Sequence, residues 1–266
     1  MSVVVRGGCK MNPELLNHEI QSVDFTTLLR IQLDRIRGHI GSAKTRLTVV
    51  HVGGFDGSWD SMMADICGPL EVFSFEPQLR PYRAMKKLFR KDPTFMHCYN
   101  CIVSPFAPIK EAFLLYTKTP NPSKAYEQGA SLFKDFVRDL SEKEHQGGVL
   151  QVSAMDLNQF VYESCIPTID LLRINCEGGE YIILDDRLAD LFYLQHTNMV
   201  ALALHGKRSV FLTSEMNDRK RRMTEMMRRK GFRLIYGYDF MNNPKIPIGH
   251  VWQLWVRETF LKGATK

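Results

Sequence analysis

No apolar run in the sequence approaches the roughly 20 residues that span a bilayer, and the opening MSVVVRGGCKMNPELL lacks the apolar core of a secretory leader. A soluble, cytoplasmic protein is expected. The six cysteines, at positions 9, 67, 98, 101, 165 and 176, follow no disulfide-scaffold spacing. The one N-x-S/T match, Asn121-Pro122-Ser123, is disqualified as a glycosylation acceptor by its proline. Both absences fit a reducing compartment. There is no GxGxxG and no GxxxxGK[ST], which ranks hydride transfer and nucleotide hydrolysis low. A single CxxC, Cys98-Tyr99-Asn100-Cys101, falls within FMHCYNCIV, which reads as a strand. Residues three apart on a strand face opposite ways, so buried thiols are expected there rather than a metal or redox pair. Internal repeats and a second domain are not evident.

What remains is a chain of 266 residues, 44% hydrophobic and 11% aromatic, enough to bury a full core. One domain with elaborations is expected, an N-terminal helical segment over 1–46 packing on a main unit over 47–266. The formal charge of +6 is uneven, with nine basic residues between Lys207 and Lys230. That excess could attract phosphate, an anionic lipid surface or nucleic acid. The alternative, a solvated helix face, is preferred because Met223, Met226 and Met227 supply a buried stripe at helical spacing and Gly231 can end the helix.

The chain is organised around IDLLRINCEGGEYIIL, from Ile169 to Leu184. Ile169–Ile174 reads as a buried parallel strand. Asn175, Cys176 and Glu177 then place polar groups at its end, Gly178 and Gly179 permit a sharp turn, and Glu180–Leu184 resumes at helical spacing. In an open α/β sheet ligands bind beyond the carboxyl ends of strands, so Asn175 and Glu177 stand over the crevice. An ordinary strand-turn-helix corner with solvated acids is the competing reading.

Upstream, Leu47–Val52 is a strand followed by Gly53-Gly54-Phe55-Asp56-Gly57, a turn whose glycines let backbone amides approach a ligand. A second strand, Leu70–Phe75, ends in Glu76, twenty-three residues after Gly53. A carboxylate there can accept hydrogen bonds from both hydroxyls of a ribose, so the unit favours a nucleoside-containing cofactor. The third strand, Phe95–Val103, carries Asn100 toward the adenine.

Residues 13–40 read as one or two amphipathic helices. Residues 105–148 form a proline-broken insertion containing a strand at 112–117 and a helix at 132–140, either a substrate cover or a decorative excursion. Val149–Met155 is a strand leading to Asp156 as N-cap of a helix at 157–163. Strands at 199–204 (ending at His205), 232–240 and 251–257 complete the chain, the last two joined by MNNPKIPIG. A doubly wound, Rossmann-like sheet with an antiparallel final strand is predicted.

VVHVGGFDGSW, VFSFEP and IDLLRINCEGGEYIIL, in this order and separation, resemble the successive motifs of FkbM-type S-adenosylmethionine-dependent methyltransferases. Gly129-Ala130-Ser131-Leu132 and Met155-Asp156-Leu157 are similar to weaker segments of that family. The resemblance implies a class I methyltransferase fold of seven strands with S-adenosylmethionine over the strand ends. It implies that His51, Gly53, Gly54, Phe55, Gly57 and Asn175 border the methionine part, that Glu76 holds the ribose, and that Asn100 or Cys101 lies near adenine. Glu177 would face the transferred methyl, and the implied activity is O-methylation of a hydroxyl on a small-molecule or sugar-type acceptor, an anionic one included. Two positions depart from the family pattern, His51 and Asn175, each replacing an acid.

Glu177 and His205 are the candidate bases, with Asn175 orienting the hydroxyl; for His205 a satisfied core-edge role competes. Asn175, Glu177, His205 and Asp156 could also hold a divalent ion, but the spacing is not diagnostic and no metal is assigned. Two other functions stand beside the leading one. The departures at His51 and Asn175 fit a cofactor-binding module that has lost turnover, and the basic helix at 219–230 fits a nucleic-acid methyltransferase. The second ranks lower because no aromatics interleave its charges to stack bases.

Overall fold

The computed structural model describes residues 13–41, 45–91, 95–107, 113–117, 130–131, 148–188, 190–205, 214–237 and 251–262. Eleven strands occur among them: β1 (Leu47–Val52), β2 (Leu70–Phe75), β3 (Met96–Tyr99), β4 (Ile102–Val103), β5 (Phe113–Tyr116), β6 (Val149–Val152), β7 (Ala154–Met155), β8 (Leu171–Ile174), β9 (Met199–Leu204), β10 (Phe232–Gly237) and β11 (Val251–Arg257). Seven of them form one sheet in the order β10-β11-β9-β8-β1-β2-β3. Only β11 runs antiparallel to its neighbours β9 and β10. This is the seven-stranded α/β sheet with an antiparallel final strand that the resemblance implied.

Every residue of β1, β8 and β9 is buried, as expected of central strands covered on both faces. The pleat sends alternate side chains to two cores. Val50, Val52, Leu172, Ile174, Val200 and Leu202 meet the helices Leu157–Glu163 and Ser214–Arg229. Leu47, Val49, Leu171, Met199 and Ala201 meet Phe25, Leu29, Leu33 and Ile36 of the helix Pro13–Ile40, together with Met63 and Met85 of the helices Ser58–Cys67 and Leu79–Phe89. Residues 13–40 are thus a single helix, packed from Phe25 onward on one face of the sheet.

Three expected strands are shorter or divided. Ile169 is left with an isolated bridge to Thr197 because the Asp170 carboxylate accepts the Thr48 N–H at 2.8 Å and an Asn198 amide N–H at 3.1 Å, so the β1–β8 pairing begins only at Leu171. The run 95–103 splits at Asn100, whose amide donates to the Glu76 and Pro77 carbonyls, both at 2.9 Å. β3 stays in the main sheet, while β4 pairs with β7. The run 149–155 divides in the same way, and its first part, β6, pairs antiparallel with β5, the strand expected in the insertion. The expected helix at 132–140 and the loop at 241–249 lie outside the described residues.

Cys98 packs on one core and Cys101 in the other, as expected, although the run is broken at Asn100 rather than one continuous strand, and both are free thiols. Met223, Met226 and Met227 form the buried stripe of the basic helix, and Gly231 follows it at φ 82°. Lys220, placed by the sequence on the charged face, is instead wholly buried, and burial pushes its pKa down to about 7.

Candidate active site

Above the carboxyl ends of β1, β2 and β8 lies a cavity of about 320 Å³. Gly53, Phe55, Glu76, Cys101, Asn175, Glu177 and His205 line it, and the sequence pointed to each of them. The turn after β1 is held down by the Gly53 and Gly54 N–H groups, which both donate to the Phe75 carbonyl at 3.0 and 2.9 Å. Gly53 is required: at φ 86° an added Cβ would lie 1.9 Å from the Asn175 carbonyl oxygen. Gly53→Ala is therefore expected to lower stability by about 2–4 kcal/mol, through strained φ and overpacking, as read by chemical denaturation.

Glu76 is 4% exposed, yet both of its oxygens are engaged. Oε2 accepts the Phe55 N–H at 3.0 Å and Oε1 the Gln78 N–H at 2.8 Å. Burial pushes its pKa up to about 7, while the hydrogen bonds from Gln78 and Phe55 oppose the shift. Apolar walls adjoin this carboxylate, from Val52, Phe75, Pro77, Ile102 and Val103. Backbone donors fixing an acid beside a glycine turn and an apolar slot suit a ribose with its attached base. The residues present therefore fit an adenosyl cofactor.

Glu177, which lines the same cavity, takes φ 51°, uncommon for a residue with a side chain. Its side chain is 27% exposed, and Oε1 lies 3.3 Å from His205 Nε2. The other ring nitrogen, Nδ1, is 3.0 Å from Glu180 Oε1. Burial alone would lower the His205 pKa, but the charge and hydrogen bond of Glu180, with the charge of Glu177, leave it raised. Tyr181 donates its hydroxyl to the His205 carbonyl at 3.2 Å. His205 is thus both a buried core-edge residue and a wall of the cavity. The insertion reaches the same place: Leu115 and Ala130 line the cavity, and the Ser131 hydroxyl donates to the Glu177 carbonyl at 2.6 Å.

Four residues expected at the cofactor do not line the cavity. His51 is 1% exposed and points to the other face of the sheet, where the register sets it between Ser74 and Arg173. Its Nδ1 is 2.8 Å from Asp60 Oδ1, its Nε2 meets the Arg173 guanidinium, and Ser74 donates to Asp60 Oδ2 at 3.0 Å. Burial lowers the His51 pKa, and Arg173 adds to that against the pull of Asp60. A neutral ring donating to Asp60 and accepting from Arg173 satisfies this geometry. Gly54 and Gly57 serve packing: an added Cβ at Gly54 would lie 2.0 Å from Ser74 Oγ, and one at Gly57 2.8 Å from the Phe89 ring. Asn100 spends its amide on the backbone carbonyls of Glu76 and Pro77 and so fixes the turn beside the cavity.

Asp156 caps the helix Leu157–Glu163 by accepting the Gln159 N–H at 2.9 Å and does not line the cavity with Glu177 and His205. Among the described residues no group of three acidic, histidine or cysteine side chains could hold a metal. The sequence reading missed Trp252, Leu115 and Glu180. An isolated tryptophan and leucine carry no local signal, whereas Glu180 is the acid that opens the helix after the glycine turn.

A family model described as "Methyltransferase FkbM domain" matches residues 51–234. No curated protein matches the chain. Among solved structures it is similar to the Methanococcus jannaschii fibrillarin pre-rRNA processing protein, with 12% identity over 81% of this chain and 68% of that one and a TM-score of 0.43. The Aeropyrum pernix fibrillarin, solved with natively bound S-adenosyl-L-methionine, is 13% identical over 80% of this chain and 67% of that one, with a TM-score of 0.41. The bifunctional kinase-methyltransferase WbdD is 14% identical over 92% of this chain, which spans 42% of that protein, with a TM-score of 0.47. Likeness at these identities is one of fold. Among the described residues no helix is long and apolar enough to cross a membrane.

Proposed function

Because the chain belongs to the family of FkbM methyltransferase domains, and is thereby an S-adenosylmethionine-dependent methyltransferase, we propose that it methylates a hydroxyl oxygen of a small-molecule or sugar-type acceptor. The observation that carries this reading is the Glu177 carboxylate on the cavity wall, 3.3 Å from His205 Nε2. A hydroxyl is a weak nucleophile until its proton has somewhere to go.

In the proposed site Glu76 holds the ribose hydroxyls, the apolar walls at Phe75, Pro77 and Ile102 receive the adenine, and Gly53, Phe55 and Asn175 border the amino-acid end. Bound there, S-adenosylmethionine supplies an electrophilic methyl on a sulfonium. Asn175 would orient the acceptor hydroxyl as a neutral partner, and Glu177 would take the proton that the hydroxyl gives up on methylation. Leu115 and Ala130 help to exclude water from that side of the cavity.

The basic helix speaks against a nucleic-acid acceptor. Arg221 pairs with Asp218, Arg229 with Asp186 and Lys230 with Asp190, at 3.2, 2.6 and 3.7 Å, and Lys220 is buried. The face is therefore less cationic than its sequence. The test is transfer of labelled methyl to a panel of sugars and alcohols, with the product bond assigned by NMR. A methyl ether is expected; label only on nitrogen or carbon would overturn the reading.

A further inference from the structure

Glu180 is a fully buried carboxylate that no part of the proposed chemistry uses. Such a group is costly unless every lone pair is met. Here Oε1 accepts the His205 backbone N–H at 2.8 Å and faces His205 Nδ1 at 3.0 Å. Oε2 accepts the Gly178 N–H at 2.9 Å and the Cys176 thiol at 3.4 Å. The carboxylate thereby ties the turn after β8, where Glu177 sits, to the end of β9, where His205 sits.

We infer that Glu180 is a positioning residue that fixes His205 with Nδ1–H toward itself and Nε2 toward Glu177, so that Glu177, His205 and Glu180 form one proton-accepting chain at the cavity. The inference rests on the proposed role of Glu177 and extends it. Only Glu177 meets the acceptor, and His205 shares the proton that arrives. A carboxylate alone would hold that proton weakly beside an alcohol; an imidazole locked in one tautomer behind it gives the proton a second seat without a change of geometry. The ionisable groups facing His205 among the described residues are Glu180 and Glu177, with the Cys176 thiol and the Tyr181 phenol beside Glu180; burial and Glu180 raise the pKa of both. Neither therefore competes for the proton near neutrality.

Selective 15N labelling of histidine provides a test that needs no variant. On raising the pH through the His205 transition in the wild-type protein, the neutral ring is expected to keep its proton on Nδ1; a neutral ring protonated on Nε2 overturns the inference. In Glu180→Gln the His205 midpoint is expected to fall by about one pH unit or more, because an opposite charge within hydrogen-bond reach has been removed. The kcat for methyl transfer is expected to fall about 10²-fold while cofactor affinity is retained. An unmoved midpoint in folded Glu180→Gln overturns the inference. Should that variant fail to fold, Glu180→Asp keeps the charge but shortens the reach, and is expected to lower kcat while leaving the midpoint raised. Wild-type protein that transfers no methyl to oxygen, yet shows the Nδ1–H tautomer and the lowered midpoint in Glu180→Gln, would remove the proposed O-methylation and leave the positioning by Glu180 standing.

Discussion

Glu76→Ala is expected to weaken binding of S-adenosylmethionine and S-adenosylhomocysteine by roughly 10²–10⁴-fold, measured by calorimetric titration. Two hydroxyl hydrogen bonds to a charged acceptor contribute about 1.5–3 kcal/mol each, which sets that range. The variant also leaves the buried N–H groups of Phe55 and Gln78 without their acceptor, so the turn after β1 should loosen as well. Glu76→Gln separates the two effects in part, because its single carbonyl oxygen still accepts one of the two backbone N–H groups. Unchanged affinity in Glu76→Ala would place the ribose elsewhere.

The same residue gives the binding a pH dependence of definite sign. Burial raises the Glu76 pKa from 4.5 to about 7 in the free protein. Its neutral form is favoured by the fold, so its contribution to stability is present below 4.5 and is lost as pH rises through about 7. Hydroxyl donors favour the ionised form, so cofactor affinity should fall as pH drops below 7, with a proton released on binding there. Titrations in buffers of different ionisation enthalpy will read that release, and Glu76→Gln should abolish it.

The second large effect is expected at Glu177. Glu177→Gln should lower kcat by about 10²–10⁴-fold, the range for loss of a general base, with cofactor affinity nearly unchanged. Glu177→Gly is a useful companion: it relaxes the positive φ of 51° and removes the carboxylate, so it should be inactive without being unstable. Full turnover in either variant would remove Glu177 from the role of base. Activity should rise with pH through the raised His205 transition, since a proton must enter the Glu177–His205 pair. His205 contributes stability through its charged form, present below 6.5 and lost as pH passes the raised value.

His51 and Asn175, the two places where an acid gives way to a neutral residue, part company in the structure. Asn175 lines the cavity, in reach of an acceptor. His51 lies beneath the sheet, where it bridges Asp60 to an Arg173 guanidinium stacked over Trp59 at 4.1 Å. A histidine there belongs to a buried charge network, and so is not by itself a mark of lost cofactor binding. Burial lowers the Arg173 pKa to about 10, and the charge of Asp60 opposes that shift.

How much was legible depended on the range of the forces involved. Leu47–Val52, Leu70–Phe75 and Met199–Leu204 were readable because strand burial leaves continuous apolar runs, and the turn at Gly53 because a positive φ demands glycine. Glu76 was placed at the cavity by its position at the end of the second strand, twenty-three residues after Gly53, and by the family resemblance. The break at Asn100 was not readable, because its amide answers to carbonyls 23 and 24 residues away. The sequence by itself determined the sheet, the glycine turn and the acids at the strand ends, each a matter of local periodicity. Only the tertiary structure decided that Glu180 faces His205 across 25 residues and that His51 meets Arg173 across 122. Buried charges take whatever partners the packing of distant elements brings within hydrogen-bond reach, and no short-range pattern encodes that choice.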